Sequence, residues 1–396
     1  MTNDRIAKPG ARVRRRFSTL RHCGRQWCTG LQTMFLRAVT LPRKLTPPAP
    51  FKPEELESVL FVRLDRIGDM VLTTPMFQAV KNAFPDCTLQ VLCAGYGAAV
   101  IENNPCIDRI LALPDDRKSR REMLRTLRGQ KPDLVIDPSL DVNPASALLS
   151  RRLSPKYSIG FAVAGKETLH SLPCPAAREN KHLTEHHEDL LQRLGCSARG
   201  TLPRIYLTDD EKTAAQALIE KHGLKPKDTI VALHPGGHYA SQRWFPDRFA
   251  AVADALIESP GVHILIFQGP GDSDDVAKIQ KAMRGSPVVM PPMDFRSFMA
   301  CLSMCDLLLC NNSGPLHIAA ALGVPTVSTM GPTLARRWWP VGPNHIVLRK
   351  ELKCMPCKTG TCQSLECMNR VKPKEMTDGA REFLSSIETA TLTHRT

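Results

Sequence analysis

Residues 58–83 read SVLFVRLDRIGDMVLTTPMFQAVKNA, which joins three kinds of segment in one short stretch. The apolar run at 59–62 predicts a buried strand, and the pattern at 71–83 predicts a helix. Between them lies a polar loop that contains Gly68 and Asp69. Further strands are predicted at 89–93, 110–113 and 134–136, with helical segments between them. Strands that alternate with helices in this way are typical of a parallel, doubly wound sheet.

The same alternation blurs between residues 155 and 203 and then begins again in the second half of the chain. Strands are predicted at 230–233, 263–267, 287–290, 307–310 and 326–329, and helices at 247–258, 274–283, 295–304 and 316–322. The sequence therefore predicts an α/β fold with two Rossmann-like halves and a ligand site in the cleft beyond the carboxyl ends of their strands. The predicted units are an arm and linker at 1–53, domains at 54–205 and 206–375, and a helix and tail at 376–396.

Composition and charge separate the N-terminal arm from the rest of the chain. The 396 residues suit two domains, and no apolar run is long enough for a spanning helix, so we exclude an integral membrane protein. The net charge is +14, of which residues 1–52 contribute +11 through 12 basic residues and one acid. Fourteen scattered cysteines without a recognisable signal peptide favour a reducing, cytoplasmic location.

The arm carries an amphipathic pattern. Trp27, Leu31, Phe35 and Val39 recur every four residues and are surrounded by arginines. Such a helix can lie on an anionic membrane surface, so we expect residues 1–52 to bind one. A disordered tail, a helix docked on its own protein and an organelle transit peptide are the alternatives. A nucleic-acid partner is not favoured, because no aromatic residues alternate with the cations and no recognisable module follows.

The loop after the first strand offers a candidate base. Asp69 follows Gly68 at the expected edge of the cleft, and its alternative role is the N-cap of the next helix. The loop at 234–246, HPGGHYASQRWFP, is a candidate phosphate site. Its Gly236 and Gly237 let the backbone approach an anion, and Arg243 can pair with a phosphate in a fork. An ordinary glycine turn with a surface arginine is the alternative.

A third loop at 310–317, CNNSGPLH, lies between a predicted strand and a helix. Free backbone N–H groups and the positive end of the helix dipole make such a turn an anion site. Three loops of this kind at the carboxyl ends of strands predict a bound nucleotide. The candidate donor-binding residues are Gly236, Gly237, His238, Asn312, Ser313, Gly314, Pro315, Leu316 and His317.

Three other patterns in the sequence resemble phosphate- or metal-binding motifs. The segment from Gly160 to Lys166 resembles a Walker A loop but lacks the required Ser/Thr and a clear preceding strand. The run 182–186, HLTEH, matches an inverted zincin pattern without a third ligand. The third pattern is a cluster of thiols that could close a structural zinc or iron site, with free or pairing thiols as the alternative. Its members are Cys354, Cys357, Cys362 and Cys367.

Taken together, these pieces resemble glycosyltransferase family 9, the lipopolysaccharide heptosyltransferases. The resemblance runs from about residue 58 to 370 and lies in segments 59–75, 236–244, 311–323, 331–333 and 354–368. It implies a GT-B fold and inverting transfer of a sugar, usually heptose from ADP-heptose, to a lipopolysaccharide core or related lipid-linked glycan. It implies no catalytic metal or other cofactor.

The resemblance also implies roles for single residues. Asp69 matches the proposed base of the family, and Arg243 falls where a basic residue commonly contacts the donor phosphates. Ser313, Gly314 and His317 match the phosphate loop. Asn312 departs from the aspartate that usually precedes Ser/Thr-Gly, which affects contact with the sugar. An enzyme of this kind would act in the cytoplasm, peripheral on the inner face of the inner membrane.

Two other functions remain open on the sequence. A nucleotide-sugar epimerase of the same fold would consume a donor without an acceptor. An inactive nucleotide-sugar or membrane-surface binding protein would bind nucleotide without turnover, and Asn312 is the residue that makes this alternative worth testing.

Overall fold

The computed structural model describes residues 51–176, 181–225, 227–357 and 362–393. The predicted amphipathic helix of the arm lies outside these residues. In the first half, the strands are β1 Ser58–Arg63, β2 Thr88–Cys93, β3 Arg109–Ala112, β4 Leu134–Asp137, β5 Tyr157–Ala162 and β6 Leu172–Pro175. The helices are α1 Ile67–Ala83, α2 Gly95–Ile101, α3 Arg117–Gln130, α4 Ala145–Arg152 and α5 Leu183–Gln192.

The second half repeats this plan. Its strands are β7 Thr229–His234, β8 Val262–Ile266, β9 Val288–Val289, β10 Leu307–Asn311, β11 Thr326–Thr329 and β12 His345–Leu348. Its helices are α6 Asp209–Lys221, α7 Pro246–Ile257, α8 Ser273–Ala282, α9 Phe295–Ser303, α10 Gly314–Leu322, α11 Glu366–Asn369 and α12 Pro373–Thr393.

The two six-stranded sheets have the same strand order. The first runs β3-β2-β1-β4-β5-β6 and the second β9-β8-β7-β10-β11-β12, with every pairing parallel. Each is therefore a complete Rossmann sheet, whose strand order reverses between its first and fourth strands. Ligands bind at that reversal, which lies beside β1 and β4 in one sheet and beside β7 and β10 in the other. The predicted α/β fold, with two Rossmann-like doubly wound domains facing a cleft, is confirmed.

The sequence missed two strands of the first sheet. β5 and β6 fall where the alternation blurs, because Ser158, Gly160 and Pro173 interrupt the apolar runs. β5 begins before the Walker-like segment, contrary to expectation, and continues to Ala162, so Gly160 lies within a strand and not in a phosphate-binding loop. Lys166 is fully buried, and its Nζ donates to the Ser139 carbonyl at 2.8 Å, so this lysine serves the interior of the first domain.

The two domains are in direct contact beside the cleft. A Cβ at Gly314 in α10 would lie 3.3 Å from Ile67 Cβ in α1. In α9, Arg296 donates to the Ala99 carbonyl of α2 at 3.0 Å and forms a bidentate pair with Glu211. Side chains of both halves share one buried apolar cluster. None of the helices in the described part of the chain is long and apolar enough to cross a membrane.

Candidate functional site

A cleft of about 840 Å³ lies where the two sheets reverse their strand order. Loops that follow β1, β7, β8, β10 and β11 all contribute to its walls. Of the residues predicted from sequence, it is lined by Asp69, Gly237, His238, Arg243, Asn312, Ser313, Gly314, Pro315 and His317. Residues far apart in the chain therefore meet in one cavity with walls from both domains.

Asp69 lies in the first turn of α1 and enters the cleft from the first domain. It is not the N-cap, which is Arg66, so the alternative capping role is wrong. Its carboxylate forms an ion pair with Arg63, Nη2 to Oδ1 at 3.2 Å, and Arg63 also contacts Asp65 at 3.1 Å. Burial raises the pKa of Asp69, and the Arg63 guanidinium opposes this effect. Asp69 is thus a largely buried carboxylate held by a fully buried arginine.

The His317 ring of the second domain packs against Gly68 of the first domain across the cleft. A Cβ at Gly68 would lie 2.8 Å from His317 Cδ2, so the histidine ring packs on the backbone of α1. Burial lowers the pKa of His317 to about 3, which makes the ring neutral at pH 7. Because Gly68 has no side chain, an imidazole of the second domain can pack on the residue that precedes Asp69.

Arg243 is engaged by two carboxylates. Its Nη2 contacts Asp272 Oδ1 at 3.0 Å, its Nη1 contacts Asp275 Oδ2 at 2.8 Å, and its Nε donates to the Gly237 carbonyl at 2.9 Å. A guanidinium has five N–H donors, so two of them are not used by these contacts. Arg243 is therefore held rigidly at the cleft wall while still able to meet an anion.

Gly236 is packed behind the cleft wall instead of lining it. A Cβ there would lie 2.2 Å from Asp272 Oδ2, so any larger residue would displace the carboxylate that holds Arg243. Leu316 is also turned away, with a fully buried side chain in the apolar core. Its backbone N–H already donates to Ser313 at 3.1 Å.

Asn311 joins the two loops of the second domain. Its Oδ1 accepts from the Trp244 N–H at 2.9 Å and the Thr329 hydroxyl at 2.7 Å. Its Nδ2 donates to the carbonyls of Pro235 and Gly236. The neighbouring Asn312 lines the cleft and donates to the Thr333 hydroxyl at 2.9 Å. The first asparagine is therefore structural, whereas the second is available to a ligand.

The cleft also has an aromatic end that the sequence analysis missed. Phe298 lies 5.1 Å from Phe267 and 6.0 Å from Phe295 between ring centroids, and all three line the cavity. Beside them, Asp272 follows β8 in the turn GPGD at 269–272. A Gly-Pro-Gly-Asp turn directly after a predicted strand was a usable signal. The three phenylalanines gave no such signal, because in the sequence they look like ordinary core residues.

The cysteine cluster gives little support for a metal. Cys354 and Cys362 are exposed, whereas Cys367 is buried. Burial raises the pKa of Cys367, and the nearby Cys362 and Cys354 thiols raise it further. Among the described residues, which omit 358–361 within this segment, no three His, Cys, Asp or Glu side chains are placed to hold a metal ion. The same holds for the histidines of 182–186, where His182 caps α5 and His186 is buried. A structural zinc or iron at the thiols stays a prediction.

Comparison with known proteins agrees with this geometry. Residues 120–368 match the model of glycosyltransferase family 9 (heptosyltransferase). The chain is 30% identical over 341 residues to lipooligosaccharide heptosyltransferase 2 of Campylobacter jejuni, covering 83% of this chain and 98% of that protein. It is 26% identical over 298 residues to lipopolysaccharide heptosyltransferase 3 of Escherichia coli K12, covering 70% and 84%.

Solved structures share the fold. A family 9 glycosyl transferase from Veillonella parvula superposes with a TM-score of 0.73 at 22% identity, over 86% of this chain and 99% of that one. The E. coli ADP-heptose lipopolysaccharide heptosyltransferase II gives 0.69 at 17%, over 84% and 99%. TibC of E. coli, an iron-containing dodecameric heptosyltransferase solved with ADP-D-β-D-heptose, gives 0.54 at 11%, over 83% and 76%.

Proposed function

Because the chain belongs to glycosyltransferase family 9, the heptosyltransferase family, we propose that it transfers heptose from ADP-heptose to a lipopolysaccharide core acceptor with inversion at the anomeric carbon. One observation carries the proposal. A carboxylate from the first domain, Asp69, and a helix N-terminus from the second, at Gly314, line the same cleft, where Gly314 faces Ile67, two residues before Asp69. These are the groups that a displacement with an anionic leaving group needs.

The second domain provides the donor side of the cleft. The aromatic end formed by Phe267, Phe295 and Phe298 offers flat apolar surfaces to a nucleotide base. In the same cleft α10 begins at Gly314, where the Gly314 N–H and the positive end of the helix dipole favour a diphosphate, whereas Pro315 has no N–H and the Leu316 N–H already donates to the Ser313 carbonyl. Arg243, which Asp272 and Asp275 hold in the same cleft, offers its two unused N–H donors to the diphosphate. Asn312 also lines the cleft, and we place the sugar beside it.

The proposed reaction needs a group that accepts one proton and a site that receives one leaving group. Asp69 accepts the proton of the acceptor hydroxyl while that oxygen forms its bond to the anomeric carbon. The bond from this carbon to the diphosphate oxygen breaks, and the nucleoside diphosphate leaves as the anion. In the transition state positive charge develops on the sugar, with the Asp69 carboxylate on one side of the sugar and the diphosphate on the other. Arg63 supports this role because it opposes the rise that burial causes in the pKa of Asp69.

The neutral ring of His317 is suited to donate a hydrogen bond to the bound substrate. Because burial lowers its pKa to about 3, the ring can donate one hydrogen bond without carrying charge at pH 7. It lines the cleft one helical turn from Ser313 and beside Gly68. Asp69 and the donor loop are thereby held in a fixed relation across the domain boundary.

The setting of the reaction is part of the proposal. A lipid-linked acceptor at the inner face of the inner membrane would bring the chain to a membrane surface, and the basic residues of 1–52 suit that location. Turnover would need no metal ion or organic cofactor, since the general base and the groups that receive the diphosphate are side chains and backbone N–H groups.

The test is nucleotide release from ADP-, GDP- and UDP-sugars by the full chain, with and without truncated lipopolysaccharide core. We expect release of ADP from ADP-heptose that depends on the acceptor and yields an inverted linkage. Donor conversion without acceptor, with the nucleotide still attached, would identify an epimerase instead. Binding of donor without turnover would identify an inactive binding protein and would make Asn312→Asp the next variant.

A further inference from the structure

The helix α3 concentrates the positive charge of the described body. Residues 117–131 contain seven Lys or Arg and one acid, Glu122. The rest of 53–396 contains 34 basic and 37 acidic residues, so without this segment the body would be net negative. The charge is therefore localised on one element and is not a general property of the surface.

Most of these cations share one side of the helix. At about 100° per residue, five of them fall within an arc of about 100°. We call this set the cationic face: Arg117, Lys118, Arg121, Arg125 and Arg128. All five are exposed, whereas Leu127 is buried and packs with Met123 and Leu124 on the sheet. The cationic face therefore points away from the domain that α3 covers.

The cationic face has no partner that would explain it. Within the ranges that the structure describes, none of its five side chains forms an ion pair or a hydrogen bond. By contrast, Arg120 on the same helix donates to the Pro114 and Asp115 carbonyls. Arg117 and Arg121, and Arg121 and Arg125, are like charges at i,i+4, which destabilises a helix. Cations at 117 and 118 also oppose the helix dipole.

We propose that the cationic face docks on an anionic lipid surface. Five cations on a convex, solvent-facing helix match a plane of negative headgroups, each cation adding about a factor of five in binding. The acidic remainder of the body would be repelled by that surface, so the charges also orient the protein. This contact is separate from the one expected of residues 1–52.

The position of α3 relates this surface to the cleft. The helix follows the carboxyl end of β3, which is separated from β1 by β2 alone. Strands lie about 4.8 Å apart, so the carboxyl end of β3 lies about 10 Å from that of β1, where the Asp69 loop begins, and α3 begins five residues after β3 ends. Docking would thus bring that edge of the cleft close to the headgroups. The claim that docking orients the cleft toward an acceptor rests on the proposed function, whereas the docking itself does not.

The test is binding of the full chain to vesicles of one part phosphatidylglycerol to two parts phosphatidylcholine, measured by co-sedimentation. The variant is Arg117→Gln, Lys118→Gln, Arg121→Gln and Arg125→Gln in one chain. The matched control removes four exposed cations of the second domain, at Lys221, Lys225, Lys227 and Lys281. Thermal unfolding of both chains confirms that they fold.

We expect the α3 variant to bind at least tenfold more weakly at low salt, the control less than threefold, and the difference to vanish at about 0.5 M NaCl. Equal losses in both variants would mean attraction by net charge alone and would overturn the proposal. So would unchanged binding of the α3 variant, or a loss that appears on duplex DNA but not on vesicles. The vesicle assay contains no sugar donor or acceptor. Its result therefore does not depend on whether the transferase assay succeeds.

Discussion

Replacing Gly68 by alanine would place a methyl group 2.8 Å from His317 Cδ2, at the contact between the two cleft walls. Carbon atoms normally approach to about 3.5–4.0 Å, so the buried His317 ring, or α1 and α10 themselves, must shift by about 0.7 Å or more. Overpacking of this kind costs about 1–3 kcal/mol of folding stability. A displacement of about 1 Å in a catalytic arrangement lowers the rate about 100-fold, so we expect kcat to fall by about 10- to 100-fold.

The assay is acceptor-dependent ADP release, with stability followed by calorimetry. Gly95→Ala is the matched control, because a Cβ at Gly95, also in the first turn of a helix of the first domain, would meet nothing within 4 Å. Adding His317→Ala to Gly68→Ala should recover most of the lost stability, since the methyl group then has room. Wild-type turnover and stability in Gly68→Ala would refute the claim that this contact sets the spacing of the cleft walls.

Three further predictions concern charge and hydrogen bonding. Arg63→Gln should move the acid limb of the pH profile of kcat/KM to higher pH, because the rise that burial causes in the pKa of Asp69 is then opposed by Arg66 but no longer by Arg63; an unmoved limb in Arg63→Gln would contradict this. Asn311→Ala should lower the free energy of unfolding by about 4 kcal/mol, about 1 kcal/mol for each of four lost hydrogen bonds, and denaturant titration against the wild type checks it. Burial raises the pKa of Asp137 to about 6, so its protonated form stabilises the fold below about pH 4 and this contribution, about 3 kcal/mol, is lost as the pH rises through 6. Asp137→Asn should flatten that part of the stability curve, and an unchanged slope would argue against the assignment.

Much of the fold was predictable because each central strand is a continuous apolar run followed by a turn. Nine strands, such as 59–62 and 307–310, were predicted to within one residue at each end. The helix starts predicted at 247, 274 and 295 also lie within one residue of those in the structure. By contrast, α1 begins at Ile67, four residues earlier than predicted, because Gly68 and Asp69 are typical of a loop although both lie in the first turn of the helix. Strands β5 and β6 were missed because interior polar residues break their apolar pattern, and the short edge strand β12 was missed as well.

The candidate site was predictable only where a residue follows a strand. Asp69, Arg243 and Ser313 could be placed at the cleft on that rule. The pairing of Arg243 with Asp272 was not predictable, because β7 and β8 loops meet only through the sheet order. Nor was the direction of Leu316, since one residue along a helix turns a side chain by about 100° from cleft to core.

The most direct test of the central claim compares wild type and Asp69→Asn in acceptor-dependent ADP release, with ADP affinity measured by calorimetry on the same preparations. If Asp69 is the base, kcat falls at least 100-fold in the variant. The dissociation constant for ADP should stay within about twofold, because the proposed diphosphate site lies on the other domain. Turnover near the wild-type rate in Asp69→Asn, with donor binding intact, would contradict the account.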